Sequence, residues 1–516
     1  ILIFISPGLT GFTQEARIKT VIVDSSEPGF RTVIAGIEYK KGPLHRFLWG
    51  SHYRKEWTTP VRIPVINLDT VKGGLKATEQ GGGRQTKTLR LKNAKGKEYV
   101  LRSVNKDYRG ALPEIAHGTF IEHLAKDQVS TAHPFAAITI PYMIEAAAIY
   151  HTNPIIVFVP YTPSLGEYNK TFANMLCLFE ERPDDDQSDA PNFGYSTNVV
   201  GTEKMFENVF EENDHRVDQK AFVRARLFDM FLGDWGRHED QWRWAKFDEG
   251  DFKIYKPIPR DRDQTWAKFD GFLTRKITGV EALEHLQTFD HDIKNIKKYN
   301  FPARYLDRQL TNEIPREVWQ QQAKELQQVL TDQLIENSVR QMPKEIFDIS
   351  GNEIISKLKS RRNDLHEYAE KYYKFIAQEV EIVGSELNEF FQVKKLSEDA
   401  VQVNVFDLNK KGEPKDSPYY SRTFYASQTD EINIYGLKGN DIYRVEGEGN
   451  NRIIIRIIGG PDKDSMINLS SSSHKLKYYD NKDNSIEGNI RKKLSNDSAI
   501  NVYNYRAYKY NEGSTV

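Results

Sequence analysis

Residues 227–272, LFDMFLGDWGRHEDQWRWAKFDEGDFKIYKPIPRDRDQTWAKFDGF, restrict the possible folds more than any other stretch of the chain. They hold four of the seven tryptophans, Trp235, Trp242, Trp244 and Trp266. Interleaved with them are Asp229, Asp234, Asp240, Asp261 and Asp263, and Arg237, His238, Arg260 and Arg262. Large apolar side chains alternating with acids and bases are costly to bury unless each charge is paired. Two arrangements meet that condition: a salt-bridged structural knot, or a site that holds metal and phosphate.

The local pattern orders these residues. Phe222, Val223, Leu227, Met230 and Phe231 follow helical spacing over 219–232, and Gly233 stops the helix. Residues 242–247 and 252–258 read as two short strands joined at Glu249-Gly250. The second strand carries Asp261 and Asp263 back toward the first loop. The predicted order is helix, polar loop, hairpin, acidic loop.

That order resembles the catalytic segment of atypical protein-kinase-like folds, shared by HipA-type toxin kinases, spore-coat protein H kinases, Golgi secretory kinases and phosphatidylinositol kinases. Those families carry Asp-Arg-His-x-x-Asn, then a hairpin, then an Asp that holds magnesium. Here Gly236-Arg237-His238-Glu239-Asp240-Gln241 stands in the loop and Asp261 in the metal position, and Arg260-Asp261-Arg262-Asp263-Gln264-Thr265-Trp266 is similar to the spore-coat pattern Trp-Asp-x-Asp-x-x-Phe. Residues from about 40 to 290 also resemble a group of uncharacterised exported Bacteroidetes proteins whose loop reads Gly-Asp-Trp-Asp-Arg-His. Gly236 replaces the expected catalytic Asp and Gln241 the expected Asn. A lost base typically costs roughly 10²–10⁴-fold in rate. Asp234, two residues earlier, is the candidate stand-in, with His238 bracing the loop. Asp261, with Gln241 or Asp263, is the implied Mg²⁺ site.

Upstream, Gly81-Gly82-Gly83 precedes an alternating strand over 86–91, a turn at 93–96 and a second strand over 98–104. Such a glycine turn lets backbone N–H groups approach phosphate, or is simply a flexible loop. The resemblance makes it the ATP lid, with Arg84 and Lys87 as further phosphate ligands and Arg102 where most kinases have Lys. It pairs Arg102 with Glu122, on a helix predicted over 113–131; a solvated helix face is the alternative. Residues 175–183 would supply the strand and hinge between two lobes. The aromatic and basic run Tyr39–Trp57 suits either an anion or a packed entry segment with solvated charges.

Residues 315–342 and 353–383 are predicted amphipathic helices. From 386 the period changes to 2, and the turns 436–441 and 459–464 resemble those of calcium-binding parallel β-rolls, with ordinary hairpin or solenoid turns as the alternative. The formal net charge of -1 gives no global field for nucleic acid, and the single cysteine, Cys177, excludes an intrachain disulfide and reads as core. Residues 1–14 read as the remnant of a secretory signal peptide, with a buried first strand as the alternative, and the chain as a piece of a longer reading frame. Neither Gly-His-x-His nor His-Glu-x-x-His occurs, which argues against a metallophosphoesterase and a zinc protease.

The expected fold class is α+β. An extension over 15–70 precedes a two-lobed kinase-like domain, with its small lobe and hinge at 71–183 and its helical large lobe at 184–383. An all-β domain, solenoid or sandwich-like, follows over 386–516. The expected function is an exported, periplasmic or outer-membrane-associated phosphotransferase using ATP and Mg²⁺ on an unknown protein or envelope substrate, impaired by Gly236. The alternative is a catalytically inactive scaffold of the cell envelope. Ca²⁺ is the candidate ligand of the C-terminal domain.

Overall fold

The structure, a computed structural model, describes residues 20–81, 86–107, 114 and 117–494. The fold is mixed α and β, with five sheets among these residues, and divides into two compact units. Pro113, the predicted helix start, and residues 1–14 lie outside the described residues.

One unit comprises residues up to Lys40, Trp57–Val129 and Ile156–Phe179. Its main sheet runs Leu75–Gly81, Thr88–Asn93, Glu98–Ser103, Met175–Glu181, Ile155–Val159, the first three antiparallel. Alternation in TLRLKN and EYVLRS puts Leu89, Leu91 and Leu101 on a fully buried face with Val159, Phe172 and Cys177. Burial pushes the Cys177 thiol up, as befits a core residue. Among the described residues of the predicted 113–131 helix, Phe120–Asp127 is α-helical and Gln128–Thr131 continues as a 3₁₀ helix. Gly118, at φ 71°, stands in the left-handed region just before the α-helix and breaks the run.

The other unit holds Lys41–Glu56, Ser130–Ile155 and everything from Glu180 onward. The helix Gln219–Leu232 is capped by the Asp218 carboxylate, which accepts from Ala221 N at 2.8 Å, and ends at Gly233 with φ 76°. Against it pack the helices Arg316–Val329 and Asn352–Ile376. The hairpin Trp242–Glu249/Phe252–Pro259 is flanked by His215–Val217 and Val199–Gly201. Two helix boundaries differ from expectation. The 315–342 run breaks because the Thr331 hydroxyl accepts from Leu334 N and starts a second helix, Asp332–Val339. The 353–383 run ends at Ile376, and Glu379–Val383, rich in β-branched residues, is already a strand.

That strand opens a parallel two-sheet roll. The chain alternates between a sheet of Glu379–Val383, Glu431–Tyr435, Ile454–Ile458, Leu476–Asp480 and Arg491–Leu494, and one containing Glu389–Ser397, Ile442–Gly447, Ser465–Asn468 and Ser485–Glu487. The antiparallel strands Ala400–Asp407 and Tyr420–Tyr425 extend the second sheet. Between the sheets lie Val393, Val403, Ile432, Ile434, Val445, Ile455 and Ile457, all fully buried.

The turns of successive coils stack through their acids. Asp441 Oδ1 accepts from Glu389 N, Asp464 Oδ1 from Asp441 N and Asn484 Oδ1 from Asp464 N, at 2.8–2.9 Å. A Cβ at Gly459 would collide with carboxylate oxygens of both Asp464 and Asp480, so these two oxygens face one another over a bare backbone. Burial pushes the Asp464 carboxyl up to about 8, helped by Asp480 and its neighbour Asp462, and Glu389 up to about 7. Such groups stabilise the fold when protonated; their contribution is complete below the unfolded-state value near 4 and is lost as pH rises through the folded one. Melting of the roll should therefore fall between about pH 5 and about pH 9, and Asp464→Asn should flatten the profile. A melting temperature that rises over this range would contradict the stacked-acid account.

Candidate functional site

The helix Gln219–Leu232 and its following loop converge on a buried ion network. Asp229, fully buried, faces Arg226 Nη1 at 2.8 Å and Arg237 Nε at 3.2 Å, and also accepts from Arg262 Nη1. Asp234 Oδ2 meets Arg237 Nη1 at 3.3 Å and Arg262 Nη1 at 3.0 Å. Arg226 reaches Asp307 through Nε at 2.7 Å and Nη2 at 3.1 Å, and Tyr372 donates to the same carboxylate. Three arginines thus meet three aspartates, and the formal charges cancel. Burial alone would raise the Asp229 carboxyl, but Arg262, Arg237 and Arg226 outweigh it and hold it below its ordinary value. For Asp234 burial prevails over Arg237 and Arg262, and its carboxyl is raised.

Arg237 also joins the two loops. Its Nη1 donates to Gln241 Oε1 at 3.0 Å and to Arg260 O at 2.7 Å, its Nη2 donates to Gln241 O at 3.2 Å, and its guanidinium lies 4.7 Å from the Trp242 ring centroid. Arg260 N returns a bond to Gln241 O at 2.9 Å. The structure therefore brings Asp234, Arg237 and Gln241 together beside Arg260-Asp261. Asp261 follows with φ 57°, the left-handed region, as does Trp266 with φ 62°. Non-glycine residues held there concentrate at functional sites. Asp261 and Asp263 are half-buried, while His238 and Asp240 are exposed.

The stretch thus carries the first of the two arrangements open to the sequence, the salt-bridged knot. Asp229, Asp234, Arg237 and Arg262 form the knot, and Asp261 and Asp263, on either side of Arg262 in sequence, are half-buried. Asp234 keeps one oxygen, Oδ1, buried without a hydrogen-bond partner. Gln241 offers its amide oxygen to Arg237, which fits a brace better than a metal ligand. No group of three or more His, Cys, Asp or Glu residues is arranged around a metal position among the described residues. Two half-buried carboxylates nevertheless suit Mg²⁺, which commonly takes one or two and completes its shell with water and phosphate. Asp307 and Arg226 were missed by sequence reading. Arg226 had a signal, three residues before Asp229 on one helical face; Asp307 had none.

In the first unit, Gly81 pairs with Thr88 and Thr88 with Arg102, so Gly81 and Arg102 lie in one row across three strands. Glu122 is buried; its Oε2 accepts from Gly118 N at 2.6 Å and its Oε1 pairs with Lys126 at 2.8 Å. Gly82, Gly83 and Arg84 lie outside the described residues.

No family model matches the chain, and no curated protein does. Among solved structures, the chain is similar to the Helicobacter pylori proinflammatory kinase CtkA, at 10% identity and a TM-score of 0.30 over 60% of this chain and 98% of that one. It is also similar to the HipA, HipB and operator DNA complex of a Shewanella oneidensis MR-1 toxin–antitoxin system, at 11% identity and a TM-score of 0.24 over 60% of this chain and 68% of that one. Likeness at these levels assigns no activity to this chain.

Proposed function

We propose that residues 71–383 form an atypical kinase-like phosphotransferase domain that binds Mg-nucleotide and whose transfer step is impaired by Gly236. The observation that carries this reading is Asp261: a carboxylate in left-handed backbone at the end of the strand Phe252–Pro259, tied through Arg260 to the Gln241 loop. In this reading Asp261 and Asp263 hold Mg²⁺, which supplies charge to the phosphates. Gly81 to Gly83, Arg84 and Arg102 hold the phosphates, with Glu122 orienting Arg102. Arg237 and His238 keep the loop in register. Asp234 is a poor base while both its neighbouring arginines bind one oxygen, although its orphaned Oδ1 could accept a proton.

The test is a thermal shift with Mg-ATP on the wild type and on Asp261→Ala. At a tenfold excess over the dissociation constant, linkage contributes about 1.4 kcal/mol. For a domain of this size that is a rise of about 2 °C. The wild type should show the rise and Asp261→Ala should not. Silence of the wild type with every nucleotide would instead favour the second reading, an inactive kinase-like scaffold, which Gly236 and the bridged Asp234 support.

The proposal extends to an exported protein of the periplasm or outer-membrane face that meets an envelope substrate; the apolar N-terminal run supports it. Ca²⁺ in the roll belongs to it as well, supported by the facing oxygens of Asp464 and Asp480. Calcium should raise the melting temperature above the pH at which that pair ionises, and chelator should reverse the effect.

A further inference from the structure

The helices Pro43–Trp49 and Phe272–Thr278, both in the second unit, carry an apolar surface that the proposed phosphate chemistry does not use. Leu44 is 73% exposed, Phe47 65%, Phe272 50% and Ile277 42%, with Val280 following at 56%. The Phe47 and Phe272 rings stack with centroids 6.1 Å apart and planes within 6°. The backbone beneath them is fixed. Thr274 Oγ1 donates to Trp49 O at 2.9 Å, His52 N donates to Asp270 Oδ1 at 2.8 Å, and a Cβ on Gly271 would strike the backbone of Gly50. Leu44 and Phe47, three apart on one helix, and Phe272, stacked on Phe47, therefore form a fixed apolar patch in water, of the kind that marks an interaction site.

The charges on the two helices themselves have one sign. The two helices, PLHRFLW and FLTRKIT, contain Arg46, Arg275 and Lys276 and no acid. Lys276 Nζ lies 4.5 Å from the Phe272 ring centroid. Asp270 is turned to His52, and Glu281, the nearest exposed acid beyond Val280, faces Lys298 at 3.7 Å. In a chain of formal net charge -1 this is a local basic field. A second copy presenting the same face would repel it.

We propose that this two-helix patch docks on the anionic surface of a lipid bilayer. Leu44 and Phe47 enter the headgroup–acyl boundary while Arg46, Arg275 and Lys276 meet lipid phosphates. Protruding apolar tips ringed by bases suit an interface that yields to them, and combined apolar and basic contacts are what hold peripheral proteins there. No helix among the described residues is long and apolar enough to cross a membrane.

The experiment is cosedimentation of the full chain with vesicles of phosphatidylcholine alone or mixed with phosphatidylglycerol. The wild type should bind the mixed vesicles, release them at high salt and ignore the neutral ones. Leu44→Ser with Phe47→Ser, and separately Arg275→Glu with Lys276→Glu, should each weaken binding roughly tenfold or more. All four positions are on the surface, and unchanged melting confirms folding. No binding to anionic vesicles, or equal binding by both double variants, overturns the proposal. So does concentration-dependent self-association that Phe47→Ser abolishes without vesicle binding, because the patch would then be a protein interface.

Discussion

Asp229→Ala should destabilise the second unit by about 3–5 kcal/mol, the cost of removing one partner from a buried ion network. Asp229 is fully buried and, among the described residues, is the one carboxylate that meets Arg226, Arg237 and Arg262 together. Its loss would leave three guanidinium groups facing two carboxylates, with an uncompensated positive charge in the interior. Asp229→Asn should keep the shape and still lose most of this stability, since the charge and not the volume is what balances. Asp234→Asn should cost less, because only Arg237 and Arg262 reach it and burial already disfavours its charged form. Urea midpoints read by tryptophan emission would measure all three, since Trp242, Trp244 and Trp266 are buried in the same stretch. Unfolding free energies within about 0.5 kcal/mol of wild type, the range of ordinary surface changes, would mean the network does not hold the loops.

On the proposed kinase-like reading, Gly236→Asp should raise phosphoryl transfer by roughly 10²–10⁴-fold, the usual worth of a positioned base. A Cβ fits at the position with a small adjustment. Its φ lies outside the left-handed region, and a Cβ would meet only the side chain of Gln264, with Cγ at 3.2 Å and Cβ at 3.7 Å. Gln264 is half-buried and flexible, so it can give by the few tenths of an ångström required. Gly236→Ala presents the same sterics without the carboxylate and should gain nothing. Combining Gly236→Asp with Asp261→Ala should erase the gain, because phosphoryl transfer depends on metal charge as well as on the base. Transfer of radiolabelled γ-phosphate reads all four proteins. A folded Gly236→Asp that binds nucleotide and transfers none would show that the loop has lost more than one carboxylate, and would leave the scaffold reading standing.

Local chemistry made much of the site region legible. Apolar spacing and Gly233 marked the helix Gln219–Leu232, and alternation around Glu249-Gly250 marked the hairpin. The C-terminal strands read as solenoid or sandwich-like, with parallel-roll turns as one alternative, and the pairing stays open because partners lie a whole coil apart: Ile432 pairs with Ile455 and Ile455 with Leu476. The overlong helix prediction at 379–383 failed for a related reason. An amphipathic run carries no mark of where a neighbouring strand, here Glu431–Tyr435, will claim its backbone.

Sequence by itself determined that residues 227–272 had to pair their charges, since unpaired charge among four tryptophans is too costly to bury. It left open which residues would do the pairing. Tertiary structure decided that, bringing Asp307 to Arg226 across 81 positions and setting Arg237 between Gln241 and Arg260. Ion pairing depends on distance through space, and a linear pattern records the charge each residue brings but not the neighbour that packing will give it.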